Sequence, residues 1–289
     1  TNYNHIRSYS IAFNQKFVHR VLTRLSPFVE NFRLQQYCKL LRTIGTLTQA
    51  ERLEMNDLPL VAVKKIREEI LAKGVAIVEK NASQLSVDQI TELLSSYARF
   101  AGKYDDMFNL LTPVIKRKFF ELSIRPLDRM QLHYFSASIL VAYAQNNMYD
   151  RELFDMILNS MCGNMDVLEY RNMADAVYAM SLVNHQHVNY LRAIDTEFRK
   201  SHKSMELMPF SIVAKAMVSL DYHQPVCFFA DVVLQRSSEW TYFDIAHWSA
   251  LSLKPPCANY RQQFLDTIFK ESERLLPTCP PVYVCSTFH

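Results

Sequence analysis

Apolar residues along the chain recur at helical spacing, and six of the apolar stripes open alike, with one apolar residue followed five places later by another. The openings run Phe32 to Tyr37, Leu85 to Ile90, Leu127 to Leu132, Leu168 to Met173, Leu207 to Ile212 and Trp240 to Ile245. From Leu85 onward the starts lie 42, 41, 39 and 33 residues apart. Behind the second opening the stripe continues through Leu93, Leu94, Tyr97, Ala98 and Ala101; behind the third, through Phe135, Ile139, Leu140 and Tyr143. Ala176, Val177 and Met180 continue the fourth. This spacing is one face of an amphipathic helix. A short polar break and a second amphipathic stretch follow, as at 102–108, 146–154 and 184–191. Each unit therefore predicts helix, tight turn, helix, and a unit of this size recurring along the chain marks a helical-repeat array.

Capping signals place the helix starts. Ser86 stands three residues before Gln89, Asp128 before Gln131 and Thr241 before Asp244. A side-chain oxygen at the first position accepts a free N–H of the first turn, and the polar residue three later answers it. The flanking pairs Leu85 with Ile90, Leu127 with Leu132 and Trp240 with Ile245 sit where a hydrophobic staple closes. Pro209 falls near the first helical position, where a missing N–H costs nothing. Small residues about nine places in (Ser136, Ala216, Ser249) leave room for a neighbouring helix.

The predicted fold is all-α: an α-solenoid of about six helix-turn-helix repeats, with an N-terminal capping helix and an irregular C-terminal tail. Residues 1–31 form a basic arm and capping helix, 32–276 the array and 277–289 a Pro-rich tail. Within the array the units cover 32–80, 85–123, 127–164, 168–203, 207–237 and 240–276, with a longer connection near Thr48–Pro59. Pro113 predicts a kink or a late start in its helix. Such arrays offer extended surfaces for binding rather than buried clefts for catalysis.

Composition agrees: 49% of 289 residues are apolar, 12% aromatic, and only four are glycine, which argues against a Gly-rich phosphate loop. No apolar run approaches the roughly 20 residues of a membrane helix, so no membrane insertion is expected. Charge is unevenly spread. Residues 1–50 carry seven Lys or Arg and one acid, whereas 81–289 carry 19 basic and 22 acidic residues. Candidate phosphate contacts are therefore Arg7, Lys16, Arg20, Arg24, Arg33 and Arg42, with a smaller knot at Lys116, Arg117 and Lys118 that also reads as a solvated helix end.

Catalytic and metal chemistry leave little trace. His185 and His187 are the nearest thing to a metal pair, but read as exposed turn histidines; His223 and His247 read as packing residues. Asp105 and Asp106 match Tyr149-Asp150 of the next unit and suggest a turn-and-cap role. Cys38, Cys162 and Cys227 read as small core residues, and Cys279 and Cys285 lie in the Pro-rich tail without a ligand set, which favours reduced thiols. No catalytic residue, metal or cofactor is expected. The first 29 residues hold no acid and include Arg7-Ser8-Tyr9-Ser10. Either an organelle-import history or a basic extension without targeting meaning accounts for them.

The strings Ile90 to Phe100 with Tyr104 to Phe108, and Ala137 to Ala144 with Tyr149 to Phe154, resemble the heptatricopeptide-type repeat; Ala174 to Met180 is a weaker copy. That repeat occurs in the Fas-activated serine/threonine kinase-like and RAP-domain organellar proteins. The resemblance covers about half the chain, and too few residues follow the last predicted helix for a RAP domain. It implies an α-solenoid of the mitochondrial matrix, acting in RNA metabolism or as a component of the mitoribosome. On this reading the N-terminal part meets RNA and the array holds neighbouring proteins. The alternative is a protein scaffold or accessory subunit of an organellar complex without RNA contact.

Overall fold

The computed structural model describes residues 20–53, 60–99, 104–123 and 129–275, and every regular element among them is helical. The α-helices are α1 (20–25), α2 (Leu34–Leu53), α3 (Leu60–Asn81), α4 (Val87–Arg99), α5 (Asp105–Ser123), α6 (Arg129–Gln145) and α7 (Arg151–Cys162). They continue as α8 (Tyr170–Leu182), α9 (Val188–Ser201), α10 (Leu207–Ser219), α11 (Val226–Gln235), α12 (Tyr242–Ser252) and α13 (Arg261–Leu275). The chain divides into two compact units, Thr1–Lys118 and Phe119–His289. The expected arm and the tail from residue 277 lie outside the described residues.

Two of the three caps are formed. The Gln89 N–H donates to Ser86 Oγ at 3.3 Å and the Ser86 N–H donates to Gln89 Oε1 at 3.0 Å, so each side chain takes one free N–H at the start of α4. Thr241 and Asp244 do the same for α12. Both staple pairs, Leu85 with Ile90 and Trp240 with Ile245, are buried. Asp128 lies outside the described residues, directly before α6. Pro209 is the third residue of α10, still within the turn whose N–H groups have no helical acceptor. Pro113 neither delays α5 nor ends it: the helix starts at Asp105 and runs past the proline. α2 likewise extends to Leu53, through part of the stretch expected as a connection.

The sharpest repeat is in the backbone. Asn147, Asn184 and Asp221 are the non-glycine residues with positive φ among those described, at 55°, 52° and 59°, and they stand 37 residues apart. Each follows a first helix by one turn residue. The next N–H then bonds five residues back, Met148 to Tyr143, His185 to Met180 and Tyr222 to Met217, each at 2.9 Å. This is the Schellman arrangement, with Asn or Asp in the left-handed position usually held by glycine. The turn repeats evenly where the helix starts do not, because α6 is 17 residues long and α8 and α10 are 13 each.

In the first unit α2 packs on α4, and α3 on the 3-10 helix Ser26–Asn31. Its centre is a pair of buried tyrosines. The Tyr97 hydroxyl donates to the Leu71 carbonyl at 2.8 Å, and the Tyr37 hydroxyl donates to Tyr97 Oη at 2.7 Å. Burial raises both phenols well above their ordinary value. Gly74 on α3 makes this possible: a Cβ there would stand 1.7 Å from Tyr37 Oη.

In the second unit the first helices of each pair form a layer, α8 lying between α6 and α10, and α10 against α12. Ala174, Ala176 and Ala179 on α8 and Ser211, Ala214 and Ala216 on α10 are buried at these contacts and let the backbones approach. Phe198, Phe210 and Phe229 join α9, α10 and α11, with centroids 5.1–5.8 Å apart. Such pairs contribute about 1 kcal/mol each beyond area burial. Trp248 stacks on Phe264 at 4.8 Å. Its Nε1–H donates to Ser211 Oγ, which donates to the buried Asp244 carboxylate, tying α10 to α12. The guanidinium of Arg236, past the end of α11, donates to the His202 and Met205 carbonyls behind α9 at 2.9 and 2.8 Å. Thirty-eight residues on, Arg274 donates to the Trp240 carbonyl at 2.8 Å.

Candidate binding surface

Sandwiching by neighbours leaves each first helix of the second unit open along one narrow stripe. On α8, Met173, Ala174, Ala176, Val177, Ala179 and Met180 are all buried. Asp175, Tyr178 and Leu182, at three- and four-residue steps, remain half-buried or exposed. Thirty-seven residues later the same steps on α10 give Ile212, Lys215 and Ser219, and 37 earlier on α6 they give Ser138, Val141 and Gln145. On α12 the offset from α10 is 35: His247 and Ala250 take the places of Ile212 and Lys215, and Phe243 stands one turn ahead of them. Helices in contact thus present positions in register, three on each of α6, α8 and α10 and two on α12.

The electrostatics of the stripe are mixed. Burial raises the Asp175 carboxyl above its usual range, and Arg171 one turn before it pulls the other way. His247 is held below its ordinary value chiefly by burial, opposed by its bond with the Phe243 carbonyl and reinforced by Lys215 on α10. Its ring lies 4.0 Å from that of Phe243. The surface therefore offers an aromatic or aliphatic contact on α8, α10 and α12, with one carboxylate and one ammonium between them. That suits a partner laid across successive helices.

The N-terminal candidates are placed as follows. Arg20 and Arg24 are exposed and one turn apart on α1; Arg33 is exposed directly before α2. Arg42 is exposed but pairs with Glu92 of α4 at 2.7 Å, so it has a protein partner already. Arg117 is exposed and Lys116 and Lys118 half-buried along α5. Arg7 and Lys16 lie outside the described residues.

Three readings of the sequence need correction. His185 and His187 are not exposed: they are 4% and 9% accessible. The left-handed turn at Asn184 folds the chain back, setting the His185 ring against Phe154 and Tyr149 of the preceding pair. Tyr149 Oη lies 2.8 Å from His185 Nδ1, and Asp155 Oδ1 lies 3.2 Å from Nε2 without the alignment of a hydrogen bond. Burial lowers the His185 pKa despite that carboxylate. His187 instead caps α9: its Nδ1 accepts from the Tyr190 N–H, leaving Nε2–H to donate to Asn159 Oδ1. It stands 37 residues after Asp150, which caps α7 by accepting from the Leu153 N–H. His223 lies on the surface, paired with Asp221 at 2.9 Å. Cys227 is exposed rather than a core residue. Among the described residues no three His, Cys, Asp or Glu side chains gather as a metal site, and no helix is long and apolar enough to cross a membrane.

No protein-family model matches the chain, and no curated protein matches it significantly.

Proposed function

We propose that the chain is a non-catalytic, helical-repeat binding component of a mitochondrial ribonucleoprotein, of the mitoribosome kind. The observation that carries the binding role is the register of the open stripe, three positions per repeat across α6, α8 and α10 and two carried on to α12. Its near-balanced charge and its exposed Tyr178 and Leu182 suit a protein neighbour. The ribonucleoprotein setting is supported by the resemblance of the repeats and by the basic N-terminal region, where Arg20, Arg24 and Arg33 are exposed for phosphate. The second reading, a scaffold without RNA, is favoured by Arg42 being engaged with Glu92.

Charge reversal at Arg20 and Arg24 separates the two. On the first reading the double variant leaves the native particle at physiological salt, and nuclease treatment releases the parent chain. Retention in both experiments refutes RNA contact and leaves the scaffold. Asp175→Lys with Tyr178→Ala, in the stripe, should release protein neighbours on either reading.

A further inference from the structure

α11 packs against the 3-10 helix Pro255–Tyr260 that joins α12 to α13. Cys227, the second residue of α11, is exposed, whereas Cys257 on the 3-10 helix is fully buried. The Cys227 thiol donates to the Pro256 carbonyl at 3.6 Å, and that carbonyl carbon is bonded to the Cys257 nitrogen. Peptide geometry alone then puts the Cys227 sulfur within about 6.5 Å of the Cys257 Cα. One turn along α11 the Asp231 carboxylate stands near Tyr260 of the same 3-10 helix: burial first, and that carboxylate next, raise the phenol above its ordinary value. Burial, with the Cys227 thiol beside it, pushes the Cys257 thiol up to about 11.

We propose that Cys227 and Cys257 form a redox-active dithiol, which a low-molecular-weight disulfide of the oxidised-glutathione class converts to an intramolecular disulfide. Exposure sets the order of events. The Cys227 thiolate attacks one sulfur of the reagent, breaking its S–S bond; a mixed disulfide forms and one reagent thiolate leaves. Cys257, on losing its proton, attacks the Cys227 sulfur and expels the second reagent thiolate. The two protons from the protein thiols end on the two reagent thiols, so the protein loses two hydrogens and the reagent gains them. A rotation of the exposed Cys227 side chain brings the sulfurs to bonding distance, and proximity lets closure outrun capture of a second reagent molecule. The closed loop contains all of α12. Oxidation would thus fasten the last two helix pairs to each other, at the end of the stripe that carries Phe243 and His247. The proposal does not depend on what the stripe binds.

The test uses the full chain, incubated with oxidised glutathione at pH 8, capped with N-ethylmaleimide and digested with trypsin. The expected product is the Cys227 peptide linked to the Cys257 peptide, two hydrogens lighter than the separate peptides. Its yield should rise with pH, because Cys257 must ionise. Cys257→Ala should halt the reaction at glutathione on Cys227, and Cys227→Ser should leave Cys257 unreacted. Glutathione on Cys227 of the parent chain without the linked peptide overturns the proposal. So does a link from Cys227 to Cys279 or Cys285, or no consumption of thiols.

Discussion

Gly74→Ala should destabilise the first unit although it improves a helix. Gly74 lies inside α3, where alanine is favoured over glycine by about 1 kcal/mol. The added methyl would stand 1.7 Å from Tyr37 Oη, 2.0 Å from Cζ and 2.6 Å from Cε1. All three lie far inside van der Waals contact, and the methyl is fixed to the helix backbone, so the ring has to leave its site. Removing a fully buried aromatic from the core costs about 2–3 kcal/mol, and parting its hydroxyl from Tyr97 costs about 1 kcal/mol more. The net expectation is a loss of about 2–3 kcal/mol, read from the urea midpoint of the far-UV circular dichroism signal. Tyr37→Phe should not rescue the variant, since Cζ and Cε1 still collide. Tyr37→Ala should: on that background Gly74→Ala should stabilise by about 1 kcal/mol, reversing its sign. A Gly74→Ala chain as stable as its parent, with Tyr37 present, refutes the reasoning.

Arg236→Ala should cost about 2 kcal/mol, since the His202 and Met205 carbonyls lose charged donors, and Arg236→Lys should recover only part; thermal melts check both. Asn184→Gly should be neutral within about 0.5 kcal/mol, whereas Asn184→Val should cost about 1–2 kcal/mol at the left-handed turn, as urea titration would show. Burial depresses His185 and His247 below their ordinary 6.5, so the folded chain binds fewer protons than the unfolded one there. Their contribution to stability is complete above about pH 6.5 and is lost as pH falls through the unfolded value towards the depressed ones. Melts from pH 8 to pH 5 should show that decline, and His247→Gln should make it shallower.

Local chemistry was legible in the chain. The helices, the paired units and the caps at Ser86 and Thr241 follow from apolar spacing and from side chains that act within one turn, and those interactions need only neighbours in sequence. Asp150 likewise shows its capping role in its place before an apolar run. What the helices do to one another was not legible. Nothing near His185 in sequence announces burial, because Tyr149 and Asp155, which surround it, lie one repeat earlier. Cys227 sits in an apolar helix, yet its side of that helix faces out. The even 37-residue turn was masked by first helices of unequal length, and Asn and Asp do there what glycine more commonly signals. The stripe itself is defined by subtraction: it is the part of α8 and α10 that neighbouring helices do not cover. The sequence alone therefore determined an all-α chain of helix pairs and where most of the helices begin. Tertiary packing alone decided which faces are covered and which thiols and histidines meet, since burial depends on helices brought together from about forty residues away.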